Sequence, residues 1–313
     1  MEVKEPYYFI VNRKSKTGKA AEIWRELEQV LKERKVPYHA YTTKYYRHAT
    51  ELADQICSKP GKINLVVVGG DGTVNEVLNG MHDFDRVTFG CIPSGSANDF
   101  ARGFGLAGTP REILERMLDA KEEEYLDFGQ VTYGEEGLTR RFIVSSGVGV
   151  DADVCRQALD APIKKVLNRF HLGQLTYVVL TVKTLFTMPL MDAEVRAENG
   201  TIYRQKKAIF IAAMNFPYEG GGVPMAPKAS AFDGKLSCCC VHDIAPGCCC
   251  FFLLPVLCLG KHTRLRGFDI IESRKLEVTL KSPAVVHADG EDCGDQKKLC
   301  FEAVSGQLRV KKI

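Results

Sequence analysis

The chain has 313 residues, with 45% hydrophobic and 26% charged side chains and a formal net charge of +3. That length supports two domains with their own cores, and the ordinary balance argues against disorder as the dominant state. The slight positive excess is too weak a footprint for nucleic acid, and the opening Met-Glu-Val-Lys-Glu-Pro lacks the apolar run of a signal peptide.

Residues 7–11 read as a strand, and Ile23, Leu27, Val30 and Leu31 then mark one face of a helix. A second strand at 38–41 is followed by a helix over 50–57. Residues 65–68, Leu-Val-Val-Val, form a continuous apolar run suited to a strand buried on both faces. That run enters Gly69-Gly70-Asp71-Gly72-Thr73, after which Val74, Val77 and Leu78 resume at helical spacing. Residues 89–92 repeat the pattern, and Pro93-Ser94-Gly95-Ser96-Ala97-Asn98-Asp99-Phe100-Ala101-Arg102 leads into the next helix. A helix over 111–118 completes an alternation of strand and helix, which implies a parallel sheet covered on both faces. From about residue 127 the rhythm changes to period-two segments such as Lys275-Leu276-Glu277-Val278-Thr279-Leu280, as in half-buried antiparallel strands. Helices near 175–186 and 248–259 interrupt this second half.

The two glycine loops carry the chemistry. A glycine loop between a buried strand and a helix N-terminus lets backbone N–H groups approach a phosphate, where the helix dipole favours negative charge. Asp71 does not belong in a pure anion cradle; a carboxylate beside phosphates implies Mg2+ between them or a proton to be moved. In the second loop Asn98 or Asp99 stands at a helix N-cap, and Asp99 and Arg102, three apart, share a face and can pair. Loops from neighbouring parallel strands open on the same carboxyl edge of a sheet, where ligands bind in open α/β folds.

Gly-Gly-Asp-Gly-Thr with Asn75-Glu76, followed by Pro-x-Gly-Ser-x-Asn-Asp-Phe-Ala-Arg, resembles the diacylglycerol kinase catalytic family, which includes bacterial lipid kinases and is related to sphingosine and ceramide kinases. The resemblance covers nearly the whole chain. Asn12, Ser15 and Gly18 resemble the family's first nucleotide loop, and Thr43 matches a threonine that contacts nucleotide. Leu126-Asp127-Phe128-Gly129, Gly147-x-Gly149-x-Asp151-Ala152, the Ala226 to Leu236 segment and Asp289-Gly290-Glu291 follow in the family's order. Three positions depart from the pattern. Arg13 stands in place of a proline, Lys16-Thr17-Gly18-Lys19 displaces the loop's glycine and basic residue, and Ser237-Cys238 follows Leu236 where an acidic residue and a β-branched one are usual.

The resemblance implies an N-terminal doubly wound α/β nucleotide-binding domain, residues 1–126, and a C-terminal antiparallel β-rich lipid-substrate domain, residues 127–304, with the active site in the cleft between them. It also implies that residues from about 305 to 313 return to the first domain. The activity implied is ATP- and Mg2+-dependent transfer of the γ-phosphate to a lipid hydroxyl, most simply diacylglycerol to phosphatidic acid. On that reading Asn12, Thr43, Gly69, Gly70, Asp71, Gly72, Thr73, Glu76 and Ser96 hold the nucleotide, and Asp71 and Asp99 organise Mg2+. Glu291 is the base, although Asp-Gly is also a common hairpin dipeptide. Ser230, Asp233 and Lys235, through side chains or carbonyls, resemble a separate structural Mg2+ site.

NAD kinases share the Gly-Gly-Asp-Gly-Thr loop, so a kinase of a soluble substrate and a nucleotide- or lipid-binding protein without turnover both stay open. The residues 93–102 loop favours the lipid family, and retention of Asp71, Asp99, Asp127 and Glu291 favours an active enzyme. Apolar pockets leave weak signatures, so the lipid itself is not readable. The longest apolar stretch, 248–259, is too short to span a bilayer and contains Pro255, so the expectation is a cytoplasmic protein that meets its lipid at the membrane surface. Phe251, Phe252, Leu253, Leu254 and Leu257, followed by Lys261, His262, Arg264 and Arg266, offer an apolar stretch beside a basic one, with core packing as the plainer alternative. A homodimer is compatible with the resemblance. The runs Cys238-Cys239-Cys240 and Cys248-Cys249-Cys250 give poor zinc geometry and read as small buried hydrophobes.

Overall fold

Every side chain of Leu65-Val66-Val67-Val68 is apolar, so a strand built from it has no face to give to water. In the computed structural model, which describes residues 5–15, 19–160, 173–248 and 254–313, this run lies in β3 (Ile63–Gly69). The chain divides into two compact units, Met1–Phe128 with Ser305–Ile313, and Gly129–Val304.

The first unit alternates β1 (Tyr7–Val11), α1 (Lys19–Glu33), β2 (Tyr38–Thr42), α2 (His48–Cys57), β3, α3 (Asp71–Gly80), β4 (Val87–Pro93), α4 (Asp99–Phe104) and α5 (Pro110–Asp119). Its strands run in the order β2-β1-β3-β4, all parallel. Phe9, Val11, Val66 and Val68 pack against Trp24, Leu27 and Leu31 of α1 and Ile113, Leu114 and Met117 of α5. The intervening Ile10, Leu65 and Val67 point the opposite way and are buried as well, so both faces of the sheet are covered, as the apolar run requires. Each such side chain contributes roughly 1.5–3 kcal/mol through burial. On the second face α2 and α3 pack closely: a Cβ at Gly80 would lie 2.1 Å from the Thr50 carbonyl oxygen.

The last strand, β14 (Glu291–Lys311), ends in this unit, where Val310 pairs in parallel with Phe89 of β4. Asp127 anchors that return by accepting the Ser305 hydroxyl at 2.9 Å and the Gly306 N–H at 2.7 Å.

The second unit is mainly antiparallel. It contains the end of β5 (Glu123–Tyr133), β6 (Leu138–Phe142), β7 (Ser145–Gly149), α6 (Val150–Asp160), α7 (Gly173–Thr187), β8 (Met191–Ala197), β9 (Ile202–Ala208), β10 (Phe210–Met214), β11 (Leu236–Val241), β12 (Phe268–Ser273), β13 (Lys275–Ala288) and most of β14. The order β12-β11-β10-β7-β13 is antiparallel throughout, with β8 and β9 extending from β13. Cys238, Cys239 and Cys240 are fully buried on β11, with the first and third sulfurs 3.8 Å apart on one face, so they act as small core residues. The helix expected over 248–259 is present in its described parts as short turns, Pro246–Cys248 and Leu254–Cys258; residues 249–253, with Cys249, Cys250, Phe251, Phe252 and Leu253, lie outside the described residues. Among the described residues no helix is long and apolar enough to cross a membrane.

Candidate active site

In the first unit four loops leave the carboxyl edge of the parallel strands, and hydrogen bonds knit them together. Asn12, just past β1, donates its backbone N–H to the Val68 carbonyl at 2.9 Å and its side-chain amide to the Thr73 hydroxyl at 3.0 Å. Thr43, just past β2, donates its N–H to Val11 at 3.0 Å, and Ser94, past β4, donates to Gly69 at 2.8 Å. Ser94 and Ser15 bring their hydroxyl oxygens to 2.8 Å, joining the first and fourth loops. The structure thus gathers Asn12, Thr43 and the Gly69–Thr73 loop, as the motifs imply, and adds Ser94, which the motif reading passed over in favour of the exposed Ser96. Lys16, Thr17 and Gly18 lie outside the described residues.

Glycine is demanded where the loops touch. A Cβ at Gly95 would sit 2.5 Å from the Gly70 Cα, and a Cβ at Gly70 would sit 2.9 Å from the Gly95 Cα. The two backbones therefore approach more closely than any side chain permits. Beside this contact Asp71, the first residue of α3, accepts the N–H of Phe100 at 3.1 Å. Burial pushes the Asp71 carboxyl above its ordinary range, against the pull of N–H groups from Phe100 and Asp99.

The cap of α4 differs from the expected one. Asn98 does occupy the N-cap position, at φ 52°, but its side chain makes no capping bond; it accepts the Gly95 N–H at 2.9 Å and donates to the Gly95 carbonyl at 3.0 Å. The acceptor at the start of α4 comes instead from Asp71. Asp99 is buried and pairs with Arg102 at 3.2 Å, as their spacing predicts. Glu76 accepts the N–H of Ala49 at 3.1 Å, which caps α2, whose own N-cap Arg47 makes no side-chain capping bond.

In the second unit Asp289-Gly290 is the two-residue turn between β13 and β14, with φ of 50° and 83°. Positive φ at both central positions is the type I′ hairpin geometry, so the structural reading of Asp-Gly holds here whatever else the turn does. The Asp289 carboxylate accepts three backbone N–H groups, from Ile143 at 2.7 Å, Val144 at 2.8 Å and Ser145 at 3.0 Å. Glu291, next after the turn, faces Arg140 at 3.6 Å, and both side chains are 12% exposed.

Behind the turn two residues that the motifs did not single out, His287 and Glu219, join Asp151. His287 lies 3.2 Å from Asp151 and 3.3 Å from Glu219 through Nε2, while its Nδ1 accepts the Gly290 N–H at 3.0 Å. Burial pulls the imidazole down, but the two carboxylates outweigh it and push it up to about 9. Among the described residues these three offer ligand atoms within 4.8 Å of one another, close enough for a metal ion. The ring argues otherwise: ligation through Nε2 needs the proton on Nδ1, where Gly290 already donates.

Ser230, Asp233 and Lys235 share a turn before β11. Ser230 Oγ accepts the Phe232 N–H at 3.3 Å, Asp233 Oδ1 accepts the Lys235 N–H at 3.0 Å, and Gly234 takes φ 72°. The donors on offer are a hydroxyl, a carboxylate and backbone carbonyls, an all-oxygen set that suits Mg2+.

Glycine loops at the carboxyl edge of a parallel sheet, with a carboxylate beside them, fit a phosphotransferase of the kinase type, and the comparisons show that class. Residues 6–131 match the model of the diacylglycerol kinase catalytic domain, and residues 144–311 match that of the YegS C-terminal NAD kinase beta sandwich-like domain. The chain therefore belongs to the diacylglycerol kinase-like family of lipid kinases that joins these two domains. It is 28% identical over 294 residues to YtlR of Bacillus subtilis (strain 168), which carries a provisional lipid kinase name, covering 92% of this chain and 94% of that protein. It is 27% identical to the diacylglycerol kinase of the same strain over 72% of this chain and 70% of that one. Among solved structures, a protein of Bacillus anthracis strain Sterne provisionally titled a diacylglycerol kinase superposes with a TM-score of 0.78 at 20% identity, covering 100% and 97% of the two chains. An NAD kinase from Archaeoglobus fulgidus in complex with ATP gives 0.53 at 14% identity, covering 98% and 94%. These two structures speak to the fold.

Proposed function

We propose that this protein is an ATP- and Mg2+-dependent lipid kinase that moves the γ-phosphate of ATP to a lipid hydroxyl, with diacylglycerol as the simplest acceptor. The observation that carries the reading is the contact of Gly70 with Gly95, beside which Asp71 accepts the Phe100 N–H, in a chain of the diacylglycerol kinase family. Phosphoryl transfer depends mostly on positioning and charge neutralisation, and a glycine loop at the start of α3, where the helix dipole favours negative charge, supplies both.

In this reading Gly69, Gly70, Gly72 and Thr73 hold the ATP phosphates with Asn12, Thr43 and Ser96, and Glu76 keeps α2 and α3 in register behind them. Mg2+, when bound, neutralises phosphate charge, and Asp71 and Asp99 are the carboxylates available to hold it or to order its waters. Ser230, Asp233 and Lys235 hold a second, structural Mg2+. Glu291 takes the proton of the acceptor hydroxyl as the O–P bond forms and the bond to the leaving ADP breaks. The exposed Leu259 and Leu265, interspersed with the exposed Lys261, Arg264 and Arg266, support access to lipid at an anionic cytoplasmic membrane face.

The test offers γ-labelled ATP and Mg2+ with diacylglycerol, undecaprenol or phosphatidylglycerol in mixed micelles, and separately with NAD. Label in one lipid supports the reading. Label in NAD alone replaces it with the NAD kinase-like alternative, and label in neither leaves a binding protein.

A further inference from the structure

Residues Asp151, Glu219 and His287 come from three distant places in the second unit, the start of α6, the segment after β10 and the end of β13. Their side chains are 10%, 15% and 1% exposed, so the cluster is a buried one that shares a single imidazole between two carboxylates. The ring has a fixed direction. Nδ1 accepts from Gly290, so the ring proton of the neutral form sits on Nε2 and points to Asp151 and Glu219. The His287 carbonyl accepts the Ser146 hydroxyl at 2.5 Å, and the next turn residue, Asp289, donates its N–H to Ser145 at 2.8 Å. Every one of these bonds converges on the tight turn that presents Glu291.

We propose that His287 is a positioning residue for phosphoryl transfer: clamped on one side by Asp151 and Glu219, it holds the Gly290 N–H on the other and so fixes the turn from which Glu291 projects. The proposal rests on the reading of Glu291 as the base. The ring bridges the two carboxylates and the Gly290 backbone. An error in the turn moves Glu291 directly, because Ala288 and Glu291 are the closing pair of the hairpin. A base displaced by a fraction of an ångström from its hydroxyl loses rate while nucleotide binding is untouched.

The groups facing His287 are Asp151 from α6, Glu219 from the segment after β10, Asp289 from its own turn and, near the two carboxylates, the buried Cys239 thiol of β11. With both acids ionised and the ring neutral the cluster would carry two buried negative charges. It therefore keeps one additional proton near neutral pH. The Gly290 N–H opposes a proton on Nδ1, against the pull of the two carboxylates on the ring.

Two conservative variants separate the two sides of the ring. In His287→Asn the side-chain oxygen replaces Nδ1 as the acceptor for Gly290 but cannot reach the carboxylates. In His287→Gln the amide nitrogen replaces Nε2 but leaves Gly290 without its acceptor. Turnover with diacylglycerol micelles, the KM for ATP, melting temperature and amide hydrogen exchange at Gly290 and Glu291 are measured for both. The expected result is that His287→Gln lowers kcat by about tenfold or more with an ATP KM within about twofold and speeds exchange at Gly290, while His287→Asn recovers most of both. Equal loss in the two variants, scaling with melting temperature, would make His287 a packing residue and overturn the proposal, as would wild-type exchange at Gly290 in His287→Gln. Glu291→Gln run alongside tells the two readings apart. If it keeps kcat, the base assignment fails, while the exchange measurement, which needs no acceptor lipid, still decides whether His287 holds the turn.

Discussion

Asp71, at the head of α3, accepts its hydrogen bond from the backbone N–H of Phe100 in α4, so one carboxylate ties the loop after β3 to the loop after β4. This gives Asp71 a structural duty alongside its proposed one at the phosphates. The two are separable because an amide oxygen can still accept from Phe100. Asp71→Asn should therefore melt within a few degrees of wild type yet lower turnover by at least about a hundredfold. Asp71→Ala should in addition lose about 1–2 kcal/mol of stability as the N–H at the start of α4 loses its partner. Thermal melts and steady-state turnover check both, and full activity in a folded Asp71→Asn would remove Asp71 from the chemistry.

The Gly70–Gly95 contact makes a second prediction. Gly95→Ala places a methyl 2.5 Å from the Gly70 Cα and must push the loops apart. ATP affinity by calorimetry should fall by about tenfold or more, with a stability loss of roughly 1–3 kcal/mol. Unaltered affinity would mean that the loop spacing is irrelevant to the nucleotide.

What could be read from the chain in advance follows from sequence separation. The alternation of strand and helix was legible because Leu65 to Val68 and the Ile23, Leu27, Val30, Leu31 face carry their periods locally. The glycine loops were legible because strand, loop and helix are contiguous. The cap that Asp71 provides for α4 was not, since its partner lies 29 residues away and the nearer Asn98 looked like the cap. The cluster at His287 was hidden more deeply, with Asp151 136 positions away in the sequence. A buried His two residues before an Asp-Gly turn leaves no periodic trace. The one available signal was that Asp151 and the Val-His-Ala-Asp-Gly-Glu segment both fall within or beside family motifs.

The same cluster predicts a pH dependence of stability. In the unfolded chain His287 titrates near 6.5, whereas in the folded protein the facing carboxylates push it up to about 9. Between these values the folded state binds more protons than the unfolded one. The contribution is thus complete below 6.5 and is lost as pH rises toward 9. Urea denaturation across this window should show wild-type stability declining relative to His287→Gln, by at most about 1.4 kcal/mol per pH unit. Parallel profiles for the two proteins would show that the cluster holds no additional proton.

The segment proposed to meet the membrane has a core part and a surface part. Leu257 is 5% exposed and packs with Leu180 and Leu185, so it belongs to the core, whereas Leu259 is 69% exposed and Leu265 is 37% exposed. Neutralising Lys261, Arg264 and Arg266 together should weaken sedimentation with anionic vesicles, by a factor that shrinks at high salt. Sedimentation indifferent to both the anionic lipid and the substitutions would leave this segment a purely structural role.

Lipid phosphorylation with Glu291 as the base is tested most directly by transfer of labelled γ-phosphate from ATP to diacylglycerol in mixed micelles, comparing wild type with Glu291→Gln. The substitution keeps shape and hydrogen-bonding capacity but cannot take the proton. The predicted result is labelled phosphatidic acid from wild type, with kcat at least about a hundredfold lower in Glu291→Gln and ATP affinity nearly unchanged. Undiminished kcat with weakened ATP binding in Glu291→Gln would contradict the account, making Glu291 a nucleotide ligand and leaving Asp71 as the next candidate for the base.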